Sequence, residues 1–256
     1  MRFSNQRVLV TGASSGIGRQ LALGLAREGA TVLLTGRHEE RLAAVAEEVR
    51  AVGAPAEVYP ADLAHPEQIV DLARRAGRVD VLINNAGVAY GGSFARQAPD
   101  EIIATVLTNL QGPLLLTRAI LPQMVERRQG RLAFVASISG KTPTGALVAY
   151  AASKAGLIAA ANALRMEVRS KGISVTTLAM GAVDTPLLAP PETRAGRIVR
   201  IFGVLRPEEV AARLITGIAR GSREVILPGW TKPLLVLAGA WPGLIDLIYG
   251  YIGGRK

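Results

Sequence analysis

Tyr150 and Lys154 stand four residues apart in Tyr-Ala-Ala-Ser-Lys, on a segment whose apolar positions Leu157, Ala161, Leu164 and Val168 repeat at helical spacing. That spacing puts both side chains on one helix face. A free phenol has a pKa near ~10 and is a poor base at neutral pH, while a neighbouring ammonium favours the phenolate and lowers that value. The pair could therefore move a proton to or from a substrate oxygen. Taken alone, Tyr and Lys at this spacing are more often a solvated contact, so the assignment depends on the rest of the chain.

A second group of residues could hold an anion. Thr11-Gly12-Ala13-Ser14-Ser15-Gly16-Ile17-Gly18 follows a short β-branched run and opens a helical pattern. Glycines let such a turn approach a pyrophosphate closely, and the free N–H groups and dipole at the helix start favour the negative charge. At the end of the next strand, where an acid would hold the ribose hydroxyls of NAD, the chain has Thr35-Gly36-Arg37. No carboxylate stands there to repel a 2′-phosphate, and Arg37 can pair with one bidentately. Arg37 also lies at the unfavourable cationic end of the helix beginning near Glu39, a cost of roughly 0.3–1 kcal/mol that a bound phosphate would reverse. The expected cofactor is NADP(H).

Composition removes other chemistries. The 256 residues include no cysteine, which excludes disulfides and thiol nucleophiles, and only two histidines, His38 and His65, both of which read as helix starts. No metal site is expected. The net charge of +10 comes from scattered arginines, with 4% aromatics and no basic run, so nucleic acid is not an expected partner. Apolar residues make up 49%, enough for one domain with a substantial core. No signal-peptide pattern precedes the first strand, and a cytoplasmic location is expected.

The elements that must position these residues alternate. Strand-like runs fall at Val8 to Thr11, Thr31 to Thr35, Ala56 to Tyr59, Val81 to Asn84, Leu132 to Ala136, Ser174 to Leu178 and Glu224 to Leu227. Helical patterns such as Ile17, Leu21 and Leu25 separate them. Strand, helix, strand with short links implies crossover connections and a parallel sheet. The expected fold is α/β, a single doubly wound Rossmann-type domain with a seven-stranded parallel sheet and helices on both faces. Ligands in such sheets bind beyond the carboxyl ends of the strands.

Four motifs in order resemble the short-chain dehydrogenase/reductase family from Val8 to about Leu227. They are the Thr11 to Gly18 turn, Asn84-Asn85-Ala86-Gly87 after the fourth strand, Ser137 thirteen residues before Tyr150, and Tyr-x-x-x-Lys itself. The resemblance implies a catalytic set of Asn109, Ser137, Tyr150 and Lys154, with Asn109 on the fourth helix tethering a proton-relaying water. It further implies a cofactor set of Gly12, Ser14, Ser15, Gly16, Ile17, Gly18, Arg37, Asp62, Leu63, Asn85, Ala86, Gly87, Tyr150, Lys154, Val183 and Thr185. Tyr150 would be the general acid in reduction and the base in oxidation. Ser137 would donate a hydrogen bond to the substrate oxygen. Ser139 is a competing hydroxyl, and only spacing to Tyr150 favours Ser137. The family's Pro-Gly after the sixth strand is Met180-Gly181 here, which keeps the turn but loses proline's fixed dihedral.

Gly181 to Arg206 forms a long link with Pro186, Pro190 and Pro191, and its section at about 186–206 reads as a substrate lid within a catalytic domain at 1–229. Apolar residues in the lid point to a lipophilic ketone, aldehyde or alcohol. Residues 230–256 form an apolar tail that Pro242, Gly243 and Asp246 make unsuited to spanning a bilayer. Contact with a membrane surface, a lid over the substrate and a subunit contact all fit it, and the resemblance implies a homodimer or homotetramer. A non-catalytic dinucleotide sensor, an NAD-dependent alcohol dehydrogenase and a sugar-nucleotide epimerase or dehydratase are the rival readings. The intact catalytic set weighs against the first rival, Arg37 against the second, and the short chain after Leu178 against the third.

Overall fold

The computed structural model describes residues 1–143, 145–187, 203–241 and 243. Seven parallel strands form one sheet: β1 (Arg7–Thr11), β2 (Thr31–Gly36), β3 (Ala56–Pro60), β4 (Val81–Asn84), β5 (Gly130–Val135), β6 (Ile173–Met180) and β7 (Glu224–Leu227). Their order is β3-β2-β1-β4-β5-β6-β7. The chain winds outward from β1 in one direction and then, from β4, in the other, so the reversal falls between β1 and β4. There two successive loops leave the carboxyl edge in opposite directions and open a crevice.

Alternation along each strand splits the core into two layers. Val8, Val10, Val32, Leu34, Val81 and Ile83 face helices α1 (Gly16–Arg27), α2 (Glu39–Ala51) and α7 (Pro207–Ala219). Leu9, Leu33, Leu82, Leu132 and Phe134 face α3 (Pro66–Ala76), α5 (Gly112–Glu126) and α6 (Val148–Val168). Both faces are therefore covered, which is why the strands are apolar throughout rather than alternating with polar residues. His38 and His65 take the N-cap positions of α2 and α3.

The family resemblance implies that Asn109 lies on the fourth helix, and the structure corrects this. Helix α4 (Pro99–Val106) ends before it, and a π-helical turn at Leu107–Gln111 carries Asn109 before α5 resumes. Such wide turns re-aim side chains relative to a regular helix. Residues 188–202 of the expected lid, together with Pro242 and residues 244–256 of the tail, lie outside the described residues. The residues flanking this segment are held by backbone hydrogen bonds from Asp184 N to Leu205 O and from Leu205 N to Ala182 O. Beyond β7, α8 (Lys232–Ala240) begins the tail.

Candidate active site

The crevice between β1 and β4 is built by Thr11. Its buried Oγ1 accepts hydrogen bonds from the backbone N–H groups of Asn85 and Ala86, each at 2.9 Å. Asn85 returns the contact, its Nδ2 donating to Thr11 O at 2.8 Å. The ends of the two strands are thus latched together at the reversal point. Gly12 follows with φ +64, where a Cβ would come within 2.9 Å of Ala86 Cα. A Cβ on Gly18 would overlap the Gly12 carbonyl oxygen, so a glycine there is what lets α1 close onto the turn.

Ser15 is the N-cap of α1 but makes no side-chain capping bond, and no acid occupies the first turn. The helix therefore presents unpaired N–H groups and the positive end of its dipole to the crevice. Gly12, Ser14, Ser15, Gly16, Ile17 and Gly18 all line a cavity of about 380 Å³ there, inside the ~300–1,000 Å³ range of small-molecule sites. A glycine cradle closed to any Cβ, open helix donors and this volume fit the pyrophosphate of a dinucleotide.

One end of the cavity is basic. Gly36 and Arg37 line it, as do Asp62 and Leu63. Arg41, one helical turn beyond Arg37 on α2, lines it too, and sequence reasoning had counted it only among scattered arginines. Asp62 is already engaged, its Oδ1 accepting from Ala64 N at 2.9 Å in a local turn, while its own N–H donates to Gln68 Oε1.

The other end carries the acid–base group. Helix α6 buries Tyr150 and Lys154, which both line the cavity, and Val135 at the end of β5 lines it beside them. Lys154 Nζ donates to Val135 O at 2.9 Å and sits 5.7 Å from the centroid of the Tyr150 ring. Burial lowers the Lys154 pKa to about 8. Burial pushes the Tyr150 phenol above its ordinary value, and a hydrogen bond with Ser137 pulls it the other way. The Ser137 hydroxyl also accepts from Ser139 N at 3.1 Å, so of the two competing serines Ser137 is the one whose hydroxyl meets Tyr150.

Asn109 lies fully buried behind this pair. Its Oδ1 accepts from Val88 N and its Nδ2 donates to Val88 O, both at 2.8 Å, with a third bond from Nδ2 to Ser153 Oγ at 3.2 Å. Ser153 in turn donates to Tyr150 O at 2.7 Å. The π turn, the segment after β4 and the catalytic helix are thereby joined through two side chains, of which sequence reasoning named only Asn109. A Cβ on Gly87 would lie 3.2 Å from Asn109 Oδ1 and 3.4 Å from Lys154 Nζ, so Gly87 is where these two groups approach the cavity wall.

Asn85, Ala86 and Gly87 line the cavity, and so does Thr185, whose methyl lies against Gly16. Val183 is placed differently from the other expected cofactor residues. It is buried in the core layer of α1 and α7 and bridges to Leu205, and it does not line the cavity. Asn109 and Ser137 also stand behind the lining rather than in it.

A dinucleotide-sized crevice at the switch point of a parallel sheet, closed at one end by a buried Tyr-Lys-Ser group, defines an oxidoreductase of the nicotinamide type. A family model described as short chain dehydrogenase matches residues 6–195. The ketoacyl reductase HetN of Nostoc sp. is 34% identical, the match covering 98% of this chain and 90% of that one. The 3-oxoacyl-(acyl-carrier-protein) reductase FabG of Thermotoga maritima is 32% identical over 82% of this chain and 89% of its own. Among solved structures, a short-chain dehydrogenase from Sphingobium yanoikuyae in complex with NADPH superposes with a TM-score of 0.81 at 30% identity, covering 94% and 95% of the two chains. An actinorhodin polyketide ketoreductase variant with NADPH also gives 0.81, at 32% identity over 90% and 97%. The chain belongs to the short-chain dehydrogenase/reductase family.

Proposed function

We propose that this protein is an NADPH-dependent carbonyl reductase that converts a lipophilic ketone to an alcohol. The observation that carries the reading is the state of Tyr150, buried against Ser137 at the end of a cavity whose opposite end holds Arg37 and Arg41. A phenol raised by burial stays protonated at neutral pH, the form a general acid needs. NADPH would be held by the Gly12 to Gly18 turn, with Arg37 and Arg41 at its 2′-phosphate, and would supply the hydride for the carbonyl carbon. Negative charge then develops on the substrate oxygen. Ser137 donates a hydrogen bond to that oxygen and Tyr150 delivers its proton to it. The Lys154 ammonium, 5.7 Å from the Tyr150 ring centroid, stabilises the phenolate left behind. That stabilisation matters after proton transfer, whereas burial dominates before it.

NADPH in the Sphingobium and actinorhodin structures and the ketoacyl reductase activity named for the Nostoc and Thermotoga relatives support the cofactor and the direction. Half-exposed Leu187 on the cavity wall supports an apolar substrate. A panel of ketones and 3-ketoacyl thioesters of graded chain length, followed by nicotinamide absorbance with NADPH and NADH, tests the reading. Turnover that rises with chain length and prefers NADPH is expected. Oxidation or reduction of small polar substrates alone, or preference for NADH, would overturn it.

A further inference from the structure

We propose that α8, bracketed by Trp230 and Trp241, forms a docking face for an anionic membrane surface and lies in the plane of the bilayer. One face of the helix buries Leu235 and Ala238, and Thr231 is buried at its start. Its other face is apolar: Val236 is 65% exposed and Leu237 57%, with Pro233 and Ala240 exposed on either side of them. A helix facing water normally carries charge on that side, and the one charge between Trp230 and Trp241 is Lys232 at the first turn.

The choice of a lipid surface over a protein partner comes from the aromatic and basic residues. The chain has two tryptophans, and they bracket this helix at its two ends, Trp230 57% and Trp241 68% exposed. Their amphipathic rings favour the headgroup region, flanking an apolar strip that enters the acyl boundary. The sequence continues with Leu244, Ile245, Leu247, Ile248 and Ile252 and ends in Arg255 and Lys256. From Gly229 onward it holds three cations and one acid, on a chain of net charge +10. Such an excess is drawn to anionic headgroups. A second copy of this chain would carry the same charge and repel it. Nine residues of helix, at ~1.5 Å each, fall far short of crossing a bilayer, and no described helix is long and apolar enough to do so.

The position of the face gives it a use. Strands β6 and β7 are parallel, and Gly181 N donates to Leu227 O at 2.9 Å where both end. The chain then enters α8 from the same carboxyl edge at which the cavity opens. Docking would hold that edge near molecules dissolved in the bilayer. The docking itself does not depend on the reductase reading.

Both tryptophans lie in the proposed face, so emission of the unmodified full chain reports on it alone. Titration with phosphatidylcholine vesicles containing phosphatidylserine is expected to shift emission to the blue and to float the protein. Phosphatidylcholine alone or added salt should weaken both effects. The double variant Val236→Asp/Leu237→Asp is expected to lower vesicle affinity roughly tenfold or more, with wild-type thermal melting. Unchanged emission with the anionic vesicles would overturn the proposal whether or not the variant folds. A folded variant that floats as wild type but loses oligomer mass would also overturn it, assigning the face to a second copy.

Discussion

Among the described residues no carboxylate stands beside Lys154: its ammonium is buried and donates to a neutral carbonyl, Val135 O, and burial lowers its pKa to about 8. The sign of the consequence follows from linkage. Below pH 8 the lysine is charged in both the folded and unfolded chain. Between about 8 and its unfolded value near ~10.4 the unfolded chain binds the extra proton, so unfolding free energy rises with pH in that window. Urea unfolding of wild type and Lys154→Met from pH 7 to 10 should show the rise in the wild type and a flatter curve in the variant; parallel curves would mean the ammonium is not desolvated. At the opposite end of the cavity, Arg37→Ala and Arg41→Ala should each raise the KM for NADPH about ten- to hundred-fold, as expected for a lost hydrogen bond to a charged group. The KM for NADH should stay within a few-fold. Arg37 is legible because it follows the second strand's end, where an acid would hold the ribose hydroxyls of NAD. Arg41 is not, because its role depends on where α2 sits against the cavity, which only the packing of Leu42 and Val45 into the core determines.

The elements were legible to within a few residues because their apolar periods are strong. All seven expected runs are strands, with β5 starting two residues earlier than its apolar run suggested and β6 extending through Met180. The expected Leu132 to Ala136 run stopped at the first apolar side chain, whereas the ladder begins at Gly130 pairing with Ile173. The resemblance puts Asn109 on a helix, and no apolar period registers the one extra residue per turn of the π turn in which it stands. The π turn that holds it is selected by the side chain's three hydrogen bonds to Val88 and Ser153, across sequence separations of 21 and 44. The Thr11 latch was hidden for the same reason: a threonine at a strand end reads as part of a motif, and its partners lie 74 and 75 residues away. Replacing it with valine keeps the shape but leaves two N–H groups without their acceptor, so Thr11→Val should lose about 1–3 kcal/mol of stability. Weaker NADPH binding should accompany the loss, because the latch holds both walls of the crevice. Calorimetry and urea unfolding would check this, and a variant as stable as wild type would show that the latch is dispensable.

For the whole molecule, one reversal of strand order does most of the positioning. Two core layers fix the sheet between helices, and the sheet's carboxyl edge gathers the glycine turn, the Asn85 to Gly87 segment, Ser137 and Thr185 from distant parts of the chain. The class of fold was readable because alternation of strand and helix leaves few topologies. What the alternation could not give was which residues line the crevice and which, like Val183, Asn109 and Ser137, do not, since that depends on how side chains pack at the strand ends and not on residue type. The most direct test of the reductase account is turnover of the best ketone by Tyr150→Phe, measured with the rise in melting temperature on adding NADPH. The account expects turnover to fall by about 10² to 10⁴ while the NADPH-induced rise persists. Turnover equal to wild type would contradict it.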